Sequence, residues 1–251
     1  MEQHGEHRSL VSLRASLTCA LALIASGFAA SAEAACRLAL VLAMDVSSSV
    51  SQEEYALQQN GLAAALLSED VSRAILQGSD GYVALSVYEW SGRYQQSVIV
   101  DWLILDSRAA IAQAAARIAQ SERSYSRFPT AMGFSLGYGA GLFKSAPNCD
   151  RRVMDVSGDG INNDGFGPLI AYRHFPFQGV TVNGLVITGS DPDVEWFYES
   201  EVLHGPQSFL EIADGFEDFE RVMTRKLFRE ISNLMIGEAP TSRPSLRPSR
   251  L

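Results

Sequence analysis

Lysine is almost missing from this chain. Of its 20 basic residues only Lys144 and Lys226 are lysines, a bias that reads as genome composition rather than function. Positive charge is scarce altogether: 29 acidic residues leave a formal net charge of −9 at pH 7. That balance excludes nucleic acid as the main partner and fits solubility and local cation binding. Histidine is scarce too, with four in 251 residues, and neither His174 nor His204 has a partner at metal-binding or triad spacing. No P-loop is present. Gly133, Gly137, Gly139 and Gly141 miss the GxGxxG spacing and fall inside a predicted helix, so close helix packing is their expected use. The N-terminal apolar run, residues 17–30, is shorter than the roughly 20 residues a membrane span needs. An apolar content of 47% nonetheless supports a real core, in one large domain or two small ones.

The first 35 residues are expected to be a signal peptide. Arg8 and Arg14 give a positive start, the apolar run follows, and Ala32 and Ala34 place small residues where a signal peptidase reads. Cys36 after Ala34-Ala35 suggests a lipoprotein site, but Glu33 stands where such a site wants an aliphatic residue. Export sets the cysteine arithmetic: Cys19 leaves with the signal, and Cys36 and Cys149 remain in a compartment that permits disulfides. At this point they are either a bonded pair or two unrelated buried thiols.

Residues 37–46 (RLALVLAMDV) read as a strand buried on both faces. The capping-box pattern Ser51-Gln52-Glu53-Glu54 starts a helix that runs to about Leu67. Residues 82–90 (YVALSVYEW) are a second strand, and 96–103 a third, paired antiparallel to it after a short turn. Helices are expected over 107–120 and 131–143. Further strands are expected at 151–156, 180–187 and 208–212, with helices around 194–203 and 216–234. Residues 237–251 hold three Pro and three Arg without periodicity and read as a disordered tail. Alternation of strands and helices, broken by one hairpin, predicts an α/β fold: a doubly wound, mostly parallel sheet with helices on both faces. Ligands of such sheets bind at the carboxyl ends of the strands.

Three loops at that edge carry oxygen ligands. Asp45-Val46-Ser47-Ser48-Ser49 sits where the first strand meets the first helix. Phe128-Pro129-Thr130 brings a hydroxyl to the start of another helix. Ser157-Gly158-Asp159-Gly160 ends a further parallel strand. Carboxylates and hydroxyls are hard ligands, suited to Mg²⁺, Mn²⁺ or Ca²⁺. D-x-S-x-S by itself is also an ordinary strand end with a serine-rich helix start; the coincidence of three loops lifts it above that.

With these residues in place, the chain resembles the von Willebrand factor A family, also called the integrin I-domain family. Its metal-ion-dependent adhesion site is D-x-S-x-S, then a lone Thr, then a strand ending in Asp-Gly. The match falls on Asp45, Ser47, Ser49, Thr130 and Asp159 and covers roughly residues 37–234; within the family the chain is most similar to an uncharacterised group of exported bacterial members. The resemblance implies a six-stranded sheet ordered 3-2-1-4-5-6 with strand 3 antiparallel. It also implies that Ser47 and Ser49 ligate the cation directly, Thr130 directly or through water, and Asp45 and Asp159 largely through water or by switching. Gly158 departs from the pattern, since many members carry Thr there, and this leaves local hydrogen bonding open. If strands 1 and 4 are neighbours, as that order implies, Cys36 and Cys149 meet at the opposite edge, within the usual range of bridged Cα atoms, and a disulfide is expected.

Other signals carry less. Asp155-x-Ser157-x-Asp159-Gly160 matches half an EF-hand loop, but its twelfth position is Phe166 rather than Glu. Aspartyl phosphoryl-transfer enzymes need D-x-D, and Ser47 replaces the second Asp. Asp191 and Asp193 read as a turn and helix cap. The expected domain plan is a signal peptide at 1–35, one von Willebrand factor A-like domain at 36–236 and the tail at 237–251. The expected function is an exported module that captures a Glu or Asp of a protein partner through Mg²⁺, with Mn²⁺ or Ca²⁺ as substitutes. No nucleic acid and no stable membrane span after signal cleavage are expected. The alternatives are a hydrolase using the cation as a Lewis acid, for which the loops offer as base only carboxylates such as Asp164, and a purely structural cation.

Overall fold

The structure, a computed structural model, describes residues 35–77 and 81–232. The expected signal peptide, apart from Ala35, and the expected tail lie outside these residues. Strand β1 (Cys36–Asp45) is buried along its whole length, as a ten-residue apolar run at the centre of a doubly covered sheet must be. It pairs in parallel with β2 (Tyr82–Trp90) on one side and β4 (Cys149–Gly158) on the other. Strand β3 (Gln96–Leu105) turns back antiparallel on β2, while β5 (Val180–Ile187) and β6 (Leu210–Ala213) extend the sheet in parallel beyond β4. The order is β3-β2-β1-β4-β5-β6, with β3 alone antiparallel, as expected from the hairpin and the family resemblance. The edge strand β3 has mixed exposure, which explains why its sequence alternates where β1 does not.

Period-two geometry splits β1 between two cores. Leu38, Leu40, Leu42 and Met44 join one cluster with residues of α1 (Gln52–Leu67), α2 (Glu69–Gln77), α3 (Arg108–Ala119) and α7 (Phe219–Ser232). Ala39, Val41 and Ala43 join the other, with residues of α4 (Met132–Leu142), α5 (Pro168–His174) and α6 (Val194–Phe197). Small β1 side chains therefore face the glycine-rich α4, which can approach closely. A Cβ at Gly139 would fall 2.6 Å from Met154 and one at Gly137 2.7 Å from the Phe175 ring, so these glycines serve packing.

Two helices escaped the sequence reading. Ser68 ends α1 with its Oγ on the Ala65 carbonyl and also accepts from the Val71 amide, so α2 begins after one residue of interruption. Helix α5, seven residues opened by Pro168, is too short to show a period. The helix expected over 194–203 begins as α6 and continues as a π turn, Tyr198–Val202. The last helix begins with a short 3₁₀ turn, Phe216–Asp218, and β6 lies two residues later than expected at its start. Among the described residues no helix is long and apolar enough to cross a membrane.

Cys36 lies opposite Cys149 in the β1–β4 register and is disulfide-bonded to it, with Cα atoms 4.4 Å apart. The bond closes the amino-terminal edge of the sheet; the loops that follow β1 and β4 open at the other.

Candidate cation site

Asp45 ends β1. Its Oδ1 accepts the Ser47 amide at 2.7 Å, an Asx-type turn that folds the serine loop back over the strand end. Ser47 Oγ then lies 3.2 Å from Ser49 Oγ and accepts from Thr130 Oγ1 at 3.3 Å. Ser49 Oγ donates to Asp159 Oδ1 at 2.9 Å. Four of the five predicted residues thus form one chain of oxygens, and Asp45 joins it through the Ser47 backbone. Asp45, Ser47 and Asp159 are fully buried and Thr130 nearly so, while Ser48 and Ser49 face outward.

The Thr130 hydroxyl is free for this role because it caps nothing: Ala131 precedes α4 without a side-chain cap. Its loop is fixed by other groups. The Thr130 amide donates to Asn163 Oδ1 at 2.9 Å, and the Asn163 amide returns a bond to the Thr130 carbonyl at 3.0 Å. From the preceding loop, half-buried Arg123 reaches under the serine loop. Its Nη2 donates to the carbonyls of Val46, Ser47 and Val50 at 3.1, 3.0 and 2.7 Å, and its guanidinium lies 5.7 Å from the Tyr55 ring centre. Buried Glu89 ties the same segment down by accepting the Tyr55 hydroxyl at 2.6 Å and the Ser124 amide at 2.8 Å. Sequence reasoning missed Arg123, Glu89 and Asn163, which sit outside any periodic or motif-like pattern.

The electrostatics are unusual. Asp45 Oδ2 and Asp159 Oδ2 are buried and have no hydrogen-bond partner. Burial, and next the negative charge of Asp159, push the Asp45 carboxyl up to about 7, against the opposing pull of the Ser47 bonds and of Arg123. Arg123 acts least, and its Nη2 donates to carbonyls rather than to the carboxylate. Asp164, the carboxylate weighed above as a possible base, is gripped by Arg93, with Nη2 2.7 Å and Nε 3.0 Å from it, and this ion pair holds it below the usual carboxylate range. Among the described residues no three His, Cys, Asp or Glu side chains cluster as a metal site; the oxygens here come from two carboxylates and three hydroxyls. At Gly158 the place of a side chain is taken by the Tyr198 hydroxyl and Asp45: a Cβ there would fall 2.8 Å from Tyr198 Oη and 2.9 Å from Asp45 Oδ2. Asp155 is no loop ligand, being buried within β4. Asp191 does form the expected turn, accepting the Asp193 amide at 2.9 Å.

This sheet order, with three oxygen-bearing loops at one edge, is the von Willebrand factor A-like fold, and solved structures match it. Proximal thread matrix protein 1 from the mussel byssus superposes with a TM-score of 0.57 at 16% identity, over 80% of this chain and 49% of that one. Another structure of that protein is described as having a zinc-occupied MIDAS motif. A von Willebrand factor type A protein from Catenulispora acidiphila gives 0.50 at 18% identity, over 78% and 42%. The pilus adhesin SpaC from Lactobacillus rhamnosus GG gives 0.58 at 14%, over 80% and 31%. The chain therefore spans about half or less of the length of these proteins, and the likeness is one of fold. No curated protein matches it in sequence. Residues 35–235 match the model of the family described as "Protein of unknown function (DUF1194)", and the chain belongs to that family.

Proposed function

We propose that the chain is an exported, metal-dependent protein-binding module, in which a divalent cation held by Asp45, Ser47, Ser49, Thr130 and Asp159 captures a Glu or Asp of a partner. The observation that carries this reading is the pair of buried carboxylates with one unpartnered oxygen each, facing three hydroxyls and no cationic side chain of their own. Burying such a pair without compensation is costly. A hard divalent cation is the ligand that this donor set suits, with Mg²⁺ first and Mn²⁺ or Ca²⁺ as substitutes. Few direct anionic ligands would leave it electrophilic toward a further carboxylate. Zinc in the motif of the mussel protein is compatible with a divalent ion here.

Affinity would come from the surface around the cation, since a single carboxylate contact cannot offset the cost of association. That surface carries exposed aromatics: Tyr94 is 80% exposed, Trp196 66% and Phe128 38%, the residue types that anchor interfaces. Trp196 borders a groove of about 370 Å³ next to Ile161 and Asn162, which follow Asp159. Export is part of the proposal: residues 1–35 act as signal peptide, 36–236 form the domain, 237–251 a tail, and the disulfide suits an oxidising compartment. Calorimetry with Mg²⁺ and Mn²⁺ tests the site. Asp45→Ala should abolish binding and Ser48→Ala should not; equal binding by both variants would mean the site is misassigned. Capture of partners from a periplasmic extract, with Mg²⁺ and then with chelator, tests the module; capture that ignores chelator and Thr130→Ala means docking elsewhere.

A further inference from the structure

One fully buried tyrosine is unexplained by packing alone. Tyr198 begins the π turn after α6, and its hydroxyl is buried without a hydrogen-bond partner. Its side chain passes two glycines on adjacent strands. A Cβ at Gly184 on β5 would fall 2.7 Å from the Tyr198 ring, and one at Gly158 on β4 would fall 2.8 Å from its hydroxyl. Neither glycine has a positive φ, so backbone conformation does not demand them. At both, Tyr198 takes the place of a side chain, joined at Gly184 by Leu210, also 2.7 Å away, and at Gly158 by Asp45. The same point beside Gly158 is 2.9 Å from Asp45 Oδ2, so the two unpartnered oxygens are at most the sum of those distances apart. That is within reach of a bond through at most one water.

A buried phenol with no partner is disfavoured, and a carboxylate oxygen with none more so. Two glycines that clear a passage for one hydroxyl, ending beside the other orphaned oxygen, are a built arrangement. We propose that Tyr198 is a positioning residue of the cation site, its hydroxyl serving as hydrogen-bond donor to the outer oxygen of Asp45 and so fixing the carboxylate that faces the cation. The inference rests on the cation reading above. Partners of this kind orient carboxylates at metal sites, and losing one typically costs about 10–100-fold in affinity.

The test is Tyr198→Phe in the full chain, titrated with Mn²⁺ by calorimetry and by electron paramagnetic resonance. Affinity should fall by about 10–100-fold, while the melting temperature in chelator stays close to wild type. In wild type, Mn²⁺ should also give a tyrosine ultraviolet difference band that the variant lacks. Gly158→Ala, whose methyl group would fall 2.8 Å from the Tyr198 hydroxyl and 2.9 Å from Asp45 Oδ2, presses on both and should weaken Mn²⁺ as well. Unchanged affinity in Tyr198→Phe overturns the positioning role and leaves the cation site standing. If wild type itself does not bind Mn²⁺, both fall together.

Discussion

The sheet buries two pairs of carboxylates, and they are treated in opposite ways. In mid-sheet, Asp155 on β4 and Glu230 on α7 share the ammonium of Lys226, which lies 2.7 Å from Asp155 Oδ2 and 2.8 Å from Glu230 Oε1 with no exposure to solvent. Asn183 donates to the same Glu230 oxygen at 2.7 Å, and the Phe209 ring centre lies 4.6 Å from the Lys226 nitrogen. At the carboxyl edge, Asp45 and Asp159 are equally buried but accept only from the neutral groups of Ser47 and Ser49 in the structure, with the proposed Tyr198 donor neutral as well, and Arg123 is engaged elsewhere. The chain thus supplies its own cation to one pair and withholds it from the other. The mid-sheet pair shows what a buried acidic pair looks like in this fold when its charge is met from within, and that contrast supports an external cation at the edge. The attachment of α7 to the sheet also depends on the internal cation.

Removing Lys226 should give the largest effect. In Lys226→Met two buried carboxylates lose their only ammonium, which typically costs about 3–5 kcal/mol. Urea denaturation in chelator should show the loss, and it should shrink as pH falls and the Asp155 carboxyl, raised by burial, takes up a proton. Restoration by Mg²⁺ would contradict the comparison, because the mid-sheet pair has no hydroxyl ligands to complete a cation's shell. A melting point unchanged from wild type would mean that the triad contributes nothing.

The edge pair predicts the reverse sign. The Asp45 pKa is raised to about 7 in the fold and is near 3.9 in an unfolded chain. The folded state therefore holds a proton that the unfolded state has released. Its stabilising contribution is complete below about pH 4 and is lost as pH rises through about 7, amounting to about 2–4 kcal/mol. In chelator, Asp45→Asn should be more stable than wild type at pH 8 and similar to it at pH 4. Saturating Mg²⁺ should remove the part of the decline that Asp45 causes. A slope will remain in Asp45→Asn, because burial and Glu230 also raise Asp155. A wild-type profile in chelator that is flat from pH 4 to 8 would sink the idea of an uncompensated edge pair.

What was legible in the sequence was what lies in contiguous stretches. The ten-residue run of β1, the hairpin after Trp90 and the D-x-S-x-S loop each declare themselves locally, and the sheet order followed from the resemblance they carry. The two helices that were missed, α2 and α5, offer nine and seven residues, too few turns for an apolar stripe to stand out. Lys226 drew notice only as one of two lysines; nothing in its neighbourhood says that it is buried or that its partners lie on β4 and four residues on. Gly158 was visible as a departure, but its reason, the Tyr198 hydroxyl, comes from 40 positions later. Arg123 is a similar case: an arginine in an irregular loop whose targets lie 73 to 77 positions earlier.

Arg123 gives the last and smallest expected effect, and it separates charge from shape at the edge. Its Nη2 alone reaches three carbonyls of the serine loop, while Nε holds the Tyr125 carbonyl at 2.8 Å. A lysine retains the positive charge but presents a point rather than a planar fork, so Arg123→Lys keeps most of the weak pull on Asp45 and loses most of the carbonyl bonds. Val46, Ser47 and Val50 are buried, but Arg123 itself is partly exposed, so water can follow the lysine into part of the space the guanidinium leaves, and the net cost should be about 1.5–3 kcal/mol, in line with one charged hydrogen bond. Arg123→Met removes both, and because Arg123 lowers the Asp45 pKa, its midpoint in chelator should move further upward than that of Arg123→Lys. Urea titrations across pH measure stability and midpoint together. If geometry matters at the cation, Mn²⁺ should bind more weakly to both variants by similar factors, because the serine loop is displaced in each. Should Arg123→Lys bind Mn²⁺ like wild type while Arg123→Met does not, the residue acts through its charge, and its carbonyl bonds do not shape the site.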